Sequence, residues 1–135
     1  MKKICIFLIL VALLAACQSN VVTGEKVSAA GGSYQNVTPK ELQTMLKNKD
    51  FVFINVHIPF AGNIPGTDLS VPYNEIQQNL SQLPADKDAK IVLYCSSGRM
   101  SQIATEELIS LGYTNVWNLK GGMVDWQQAG FELEK

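Results

Sequence analysis

The stretch Ile91-Val92-Leu93-Tyr94-Cys95-Ser96-Ser97-Gly98-Arg99-Met100-Ser101 constrains the fold more than any other. A short apolar run stops at a cysteine, and a polar loop with one glycine follows. A helical pattern then begins, with apolar residues at Met100, Ile103, Ala104, Leu108 and Leu111. This pattern predicts a buried strand, a tight loop and an amphipathic helix. A cysteine at the strand end lies under the helix N-terminus, where inward-facing amides and the helix dipole favour a thiolate. Arg99 is the only arginine in the chain. A strand-end cysteine can also serve as a small apolar filler. The neighbours Ser96, Ser97, Gly98 and Arg99 form a poor core wall, which points to chemistry instead.

The first residues read as a targeting segment. Lys2 and Lys3 precede an unbroken run of apolar or small residues, 4–16, a length that suits a secretory h-region. A membrane span needs about 20 such residues. The run closes with Leu14-Ala15-Ala16-Cys17, which resembles the lipobox of bacterial lipoprotein signal peptides. The resemblance implies export, cleavage before Cys17, lipidation of Cys17 and anchoring in the bacterial cell envelope. By resemblance to Gram-negative lipoproteins, Gln18 favours the outer membrane, facing the periplasm. The expected organisation is a signal peptide over 1–16, a lipidated N-terminus and flexible tether over 17–33, and one domain over 34–135. The tether, rich in Ser, Gly, Ala and Asn, would reach on the order of 20 Å.

Of the three cysteines, Cys5 leaves with the signal peptide and Cys17 carries lipid, so Cys95 remains as the one thiol. No intramolecular disulfide is then available. A single free thiol in an exported protein is exposed to oxidation, and a chemical role explains its presence. Loss of Lys2 and Lys3 takes the formal charge from −1 to −3, and there is no basic patch, so nucleic acid is excluded as a partner.

Strand and helix alternate through the domain. A short strand is expected at 34–37. A helix follows from Thr38-Pro39-Lys40-Glu41, with Thr38 as N-cap and Glu41 completing a capping box. The apolar run 51–56 reads as a strand buried on both faces. Residues 57–68, with two prolines and two glycines, read as a structured loop, and 71–72 as a short edge piece. A helix is expected over 74–82, a strand over 91–95 and a helix over 100–111. A third long strand over 115–119 and a short helix over 123–129 complete the domain. The fold class is α/β, a mainly parallel central sheet flanked by helices. In such sheets function gathers at the carboxyl ends of the strands, which brings His57 and Cys95 to one edge.

Four blocks, in order, make the domain resemble a single rhodanese domain. Phe51-Val52-Phe53-Ile54-Asn55-Val56-His57 is similar to the family's strand ending in Asp-Val-Arg. Gly62-Asn63-Ile64-Pro65-Gly66-Thr67 is similar to its Gly-His-Ile-Pro-Gly-Ala loop. Tyr94-Cys95-Ser96-Ser97-Gly98-Arg99-Met100-Ser101 is similar to its active loop, usually Cys-x-x-Gly-x-Arg-Ser. Leu119-Lys120-Gly121-Gly122 through Trp126 and Gly130 is similar to its closing block. The chain departs from the pattern at Asn55, His57 and Asn63, and Met100 stands in the usual arginine position beside Arg99.

The resemblance implies a sulfurtransferase that moves a sulfane sulfur, from a donor such as thiosulfate to a thiophilic acceptor, through a persulfide on Cys95. Ser96, Ser97, Gly98, Arg99, Met100 and Ser101 would form the active loop. His57 would be an accessory cation in place of the family's arginine. The implied partners are a small sulfur-containing substrate or acceptor thiol, and the membrane through the lipid. No protein partner can be named, and neither metal nor cofactor is called for. A Cys-x5-Arg phosphatase needs arginine where Ser101 stands. One free cysteine and one histidine cannot supply four zinc ligands, and no Cys-x-x-Cys pair supports a thioredoxin-like role. The alternative from another class is a non-catalytic docking or sensing module tethered to the envelope.

Overall fold

A computed structural model describes residues 20–135. The expected signal peptide and Cys17 lie outside the described residues. The strands are β1 (Glu25–Ala29), β2 (Gly32–Val37), β3 (Val52–Asn55), β4 (Leu69–Ser70), β5 (Ile91–Tyr94) and β6 (Val116–Leu119). The helices are α1 (Pro39–Leu46), α2 (Arg99–Ser110) and α3 (Gly122–Gln128), with a 3-10 segment at Gln77–Gln82. The strands form one sheet in the order β1-β2-β6-β5-β3-β4. Every pairing is parallel except β1 with β2. The expected α/β sheet is therefore present, with β5, the strand that leads to Cys95, inside it. Among the described residues no helix is long and apolar enough to cross a membrane.

β5 is buried along its whole length, and its side chains divide between two cores. Ile91, Leu93 and Cys95 face one cluster with Ile54, Val56, Ala104, Leu108 and Ile109. Val92 and Tyr94 face the other with Leu42, Met45, Met123 and Trp126. This is the two-residue period of a strand covered on both sides. α2 covers the first face, while α1 and α3 cover the second. Cys95 thus continues the α2 face by alternation from Leu93. At the start of α1, the Glu41 amide donates to Thr38 Oγ1 at 3.2 Å with Pro39 in the first turn, as the sequence predicts.

Two expectations need correction. The tether expected over 17–33 does not extend to Ser33, and the folded domain begins before Tyr34. Glu25–Ala29 pairs antiparallel with β2, from Glu25 opposite Asn36 to Ala29 opposite Gly32. Val27 and Ala29 pack against the core while Glu25, Lys26 and Ser28 stay exposed. Gly31, at φ 87°, makes the reversal that a residue with a Cβ would resist. The helix expected over 74–82 is a 3-10 segment broken at Asn79 (φ −114°, ψ 17°). There the Asn79 amide side chain donates to the Glu75 carbonyl at 2.8 Å, a local bond that competes with regular helix.

Candidate active site

The loop after β5 is held from two sides. Cys95 is 1% exposed, and its Sγ accepts a hydrogen bond from the Gly98 amide at 3.0 Å. Ser101 Oγ lies 3.5 Å from the same sulfur and donates to the Gly98 carbonyl at 3.1 Å. Gly98 precedes α2 at φ 99°, so the tight return that aims its amide at sulfur needs glycine. No side chain caps α2. The amides of Arg99, Met100 and Ser101 lie in its first turn, where an α-helix offers them no internal acceptor. The positive end of a twelve-residue helix therefore faces Cys95.

The second support comes from α3. The Cys95 carbonyl accepts from the Met123 amide at 2.9 Å, and the Ser96 carbonyl from the Val124 amide at 3.0 Å. In a trans peptide the N–H points opposite its C=O. Drawing these two carbonyls toward α3 thus turns the Ser96 and Ser97 amides the other way. Gly122 permits the approach, since a Cβ there would lie 2.6 Å from the Ser96 oxygen and closer still to that of Cys95. The paired glycines were visible in the sequence as a chain break. Their work on the carbonyls of a loop more than twenty positions away was not.

The remaining site residues fall at different depths. Ser101 is fully buried, Ser96, Gly98 and Met100 are half-buried, and Ser97 and Arg99 are exposed. Met100 packs against the apolar cluster that holds Cys95. The ion pairs among the described residues are Lys49–Asp68, Lys90–Asp50 and Lys120–Glu25, and Arg99 joins none of them.

His57 follows β3, whose partner is β5. The ladder runs on as the Val56 amide donates to the Tyr94 carbonyl at 2.9 Å, so the strand end carrying His57 sits beside the start of the cysteine loop. His57 is half-buried. Its amide donates to Asn55 Oδ1 at 2.9 Å, and its Nδ1 is buried with no partner among the described residues. No hydrogen bond joins its ring to Cys95 among the described residues.

The departures Asn55 and Asn63 have a structural explanation. Asn55 is 2% exposed, and its Nδ2 donates to the Gly62 carbonyl at 3.0 Å and to Asn63 Oδ1 at 2.9 Å. Tyr94 Oη donates to Asn63 Oδ1 at 3.2 Å, accepts from the Ile64 amide at 3.0 Å and bonds Thr67 Oγ1 at 2.7 Å. Burial pushes the Tyr94 phenol above its ordinary value, and the bonds to Thr67 and Ile64 offset part of that rise. This neutral network braces residues 57–67 on the face opposite Cys95. Sequence reading missed it because every bond in it depends on tertiary placement.

A cavity of about 590 Å³, lined in part by Leu46, Lys49, Trp126 and Phe131, also lies on that opposite face. It is lined by no cysteine among the described residues, so it offers no thiol. Among the described residues no group of three or more His, Cys, Asp or Glu side chains is placed to hold a metal ion.

Comparison with known proteins identifies the family of the fold. Residues 38–129 match the family described as Rhodanese-like domain. A sulfurtransferase of Allochromatium vinosum is 32% identical over 67% of this chain and 85% of its own length. An uncharacterized protein of Synechocystis is 34% identical over 78% of this chain, and the match spans 60% of that protein. The crystal structure of a rhodanese-like domain protein from Staphylococcus aureus superposes with a TM-score of 0.61. It is 27% identical, covering 74% of this chain and 98% of that one.

Proposed function

The chain belongs to the rhodanese-like family, and on that premise we propose that it is a sulfurtransferase carrying sulfane sulfur on Cys95. One observation supports the reading above all: the buried Cys95 Sγ accepts the Gly98 amide at 3.0 Å beneath an uncapped helix N-terminus. In the first step the Cys95 thiolate attacks the outer sulfur of a donor such as thiosulfate. The donor S–S bond breaks, sulfite leaves with the bonding pair, and Cys95 becomes a persulfide. In the second step an acceptor thiolate attacks the terminal sulfur and takes it, and the Cys95 thiolate returns. The Gly98 amide and the first-turn amides of α2 stabilise the anionic sulfur in both states, as an oxyanion hole stabilises oxygen. Ser101 Oγ can turn its single proton from the Gly98 carbonyl to that sulfur once it is an anion. His57, at the neighbouring strand end and with no hydrogen bond from its ring to Cys95 among the described residues, is the accessory residue of this reading.

The test is the intact mass of the protein after incubation with thiosulfate or a small persulfide. One added sulfur is expected, removable by cyanide or a thiol. Cys95→Ser should abolish loading while keeping the fold, because a hydroxyl of similar size cannot hold a sulfane sulfur. The exposed Arg99 and the uncharged Met100 favour one second reading, a docking or sensing module. A folded protein with a reactive Cys95 that loads sulfur from no donor would favour it.

The proposal extends to location. The lipobox-like Leu14-Ala15-Ala16-Cys17 supports export and an envelope anchor on Cys17. Stable anchoring takes two lipid signals, so loss of lipid has a large effect. Cys17→Ser should move the protein from the membrane pellet to the soluble envelope fraction, and a variant that still pellets would refute the anchor.

A further inference from the structure

We propose that the sulfur donor is the persulfide of an uncharged organic thiol, R–S–SH, in preference to the thiosulfate dianion, and that Met100 sets this preference. The inference rests on the sulfurtransferase reading and narrows it. Its ground is the charge inside and around the loop. A dianion approaching an anionic Cys95 needs a cation to offset the repulsion, and the helix end supplies only a partial positive charge. The one arginine is exposed at the start of α2, outside every ion pair among the described residues. Met100, the next residue, packs its uncharged side chain on the cluster that holds Cys95.

The surroundings point the same way. Asp125 sits behind the loop, placed so that a Cβ on Gly121 would collide with its carboxylate. The Gly121 nitrogen in turn lies 3.3 Å from where a Cβ on Gly98 would be. The one charged side chain of α3 is therefore an acid. The elements around the loop carry exposed apolar side chains. Val124, whose amide binds the Ser96 carbonyl, is 43% exposed, and so is Ile103, one turn along α2 from Arg99. Exposed apolar side chains on the two helices that hold the loop suit the organic group of a thiol better than a sulfonate. The step balances: the Cys95 thiolate displaces RS⁻ from R–S–SH, one S–S bond forms as one breaks, and the proton stays on the transferred sulfur.

The test compares initial rates of sulfur loading on the full chain from thiosulfate and from 2-mercaptoethanol persulfide. Met100→Arg should raise the thiosulfate-to-persulfide ratio of kcat/KM by about tenfold or more, because a guanidinium pairs with the sulfonate oxygens of one donor only. Met100→Lys should shift the ratio in the same direction, and serves alone if the arginine variant does not fold. Met100→Gln, polar but uncharged, should leave the ratio within about threefold, since no charge is gained. A ratio unmoved by either cation, or moved equally by glutamine, overturns the inference while leaving sulfur transfer intact. Loading of wild-type Cys95 from neither donor overturns the sulfurtransferase reading, and this inference with it.

Discussion

α2 and α3 both start from a left-handed glycine, Gly98 at φ 99° and Gly121 at φ 77°, and neither has a side-chain cap. Each therefore presents unsatisfied amides at its first turn. The seven-residue α3 directs Met123 and Val124 at the carbonyls of Cys95 and Ser96. The twelve-residue α2 directs its end at the sulfur, with the Gly98 amide making the contact. One helix end is structural and the other is left for an anion. The difference teaches that such a loop has to be held from behind: without α3 holding the carbonyls of Cys95 and Ser96, the Ser96 and Ser97 amides would lose their orientation.

The comparison breaks most severely at Gly122. Gly122→Ala puts a Cβ 2.6 Å from the Ser96 oxygen and closer to that of Cys95, with backbone on both sides and nothing flexible to yield. We expect a loss of about 2–4 kcal/mol in stability, read from urea midpoints. Sulfur loading should also fall by about a hundredfold, because the oxyanion-type donors lose their aim. Gly98→Ala is milder. Its Cβ would sit 3.3 Å from the Gly121 nitrogen, a tight but not impossible approach. The left-handed conformation then costs about 1–2 kcal/mol. If Gly98→Ala proves the more damaging of the two to stability, the backing role assigned to α3 is wrong.

A pH series sharpens the contrast between the two faces of β5. Tyr94 and Cys95 are adjacent in sequence but point into different cores. Burial raises the Tyr94 phenol above its ordinary value, so the native state keeps its proton where the unfolded chain has lost it. Its contribution to stability is complete below the unfolded value, about 10. That contribution declines as pH rises from there through the higher folded value. Urea midpoints should fall as pH rises past 10, and less steeply in Tyr94→Phe. Tyr34, also raised chiefly by burial, retains its share of the decline in that variant. Alkylation of Cys95 at neutral pH should stay within about twofold in Tyr94→Phe, since the lost bonds brace the opposite face. A large change in thiol reactivity would show that the two faces are coupled.

What could be read in the sequence was whatever rests on local pattern. β5 announced itself as an apolar run and α2 as a helical period, and together they placed Cys95 at a strand end under a helix. α1 was legible from Thr38, Pro39 and Glu41. β1 was not, because an edge strand with Val27 and Ala29 as its inward residues has too short an alternation to stand out in a polar stretch. The 3-10 break at Asn79 was hidden for a similar reason: one side-chain bond to Glu75 decides it. Asn55 and Asn63 read only as departures from the family pattern, yet they bond each other and brace residues 57–67, a pairing that exists only once β3 and its loop are folded. The direction of Arg99 was equally unreadable, since a helix's first residue can lean toward a loop or away from it.

Arg99→Ala has the smallest effect expected and tests whether the anion end of α2 draws on a side chain at all. The residue is exposed at the start of the helix and makes no ion pair among the described residues, so it acts on donors through solvent. A charge in that position steers an anion during approach and adds little to the bound state. The Debye length shrinks from about 10 Å at 0.1 M salt to about 3 Å at 1 M, which removes such steering. Sulfur loading from thiosulfate should therefore drop about two- to threefold in Arg99→Ala at low salt and converge with wild type at high salt. Loading from 2-mercaptoethanol persulfide, which carries no sulfonate and at most one negative charge, should change less. A deficit that persists at high salt would mean that the guanidinium reaches the bound donor. The backbone amides of α2 would then share with a side chain the task that α3 leaves to them.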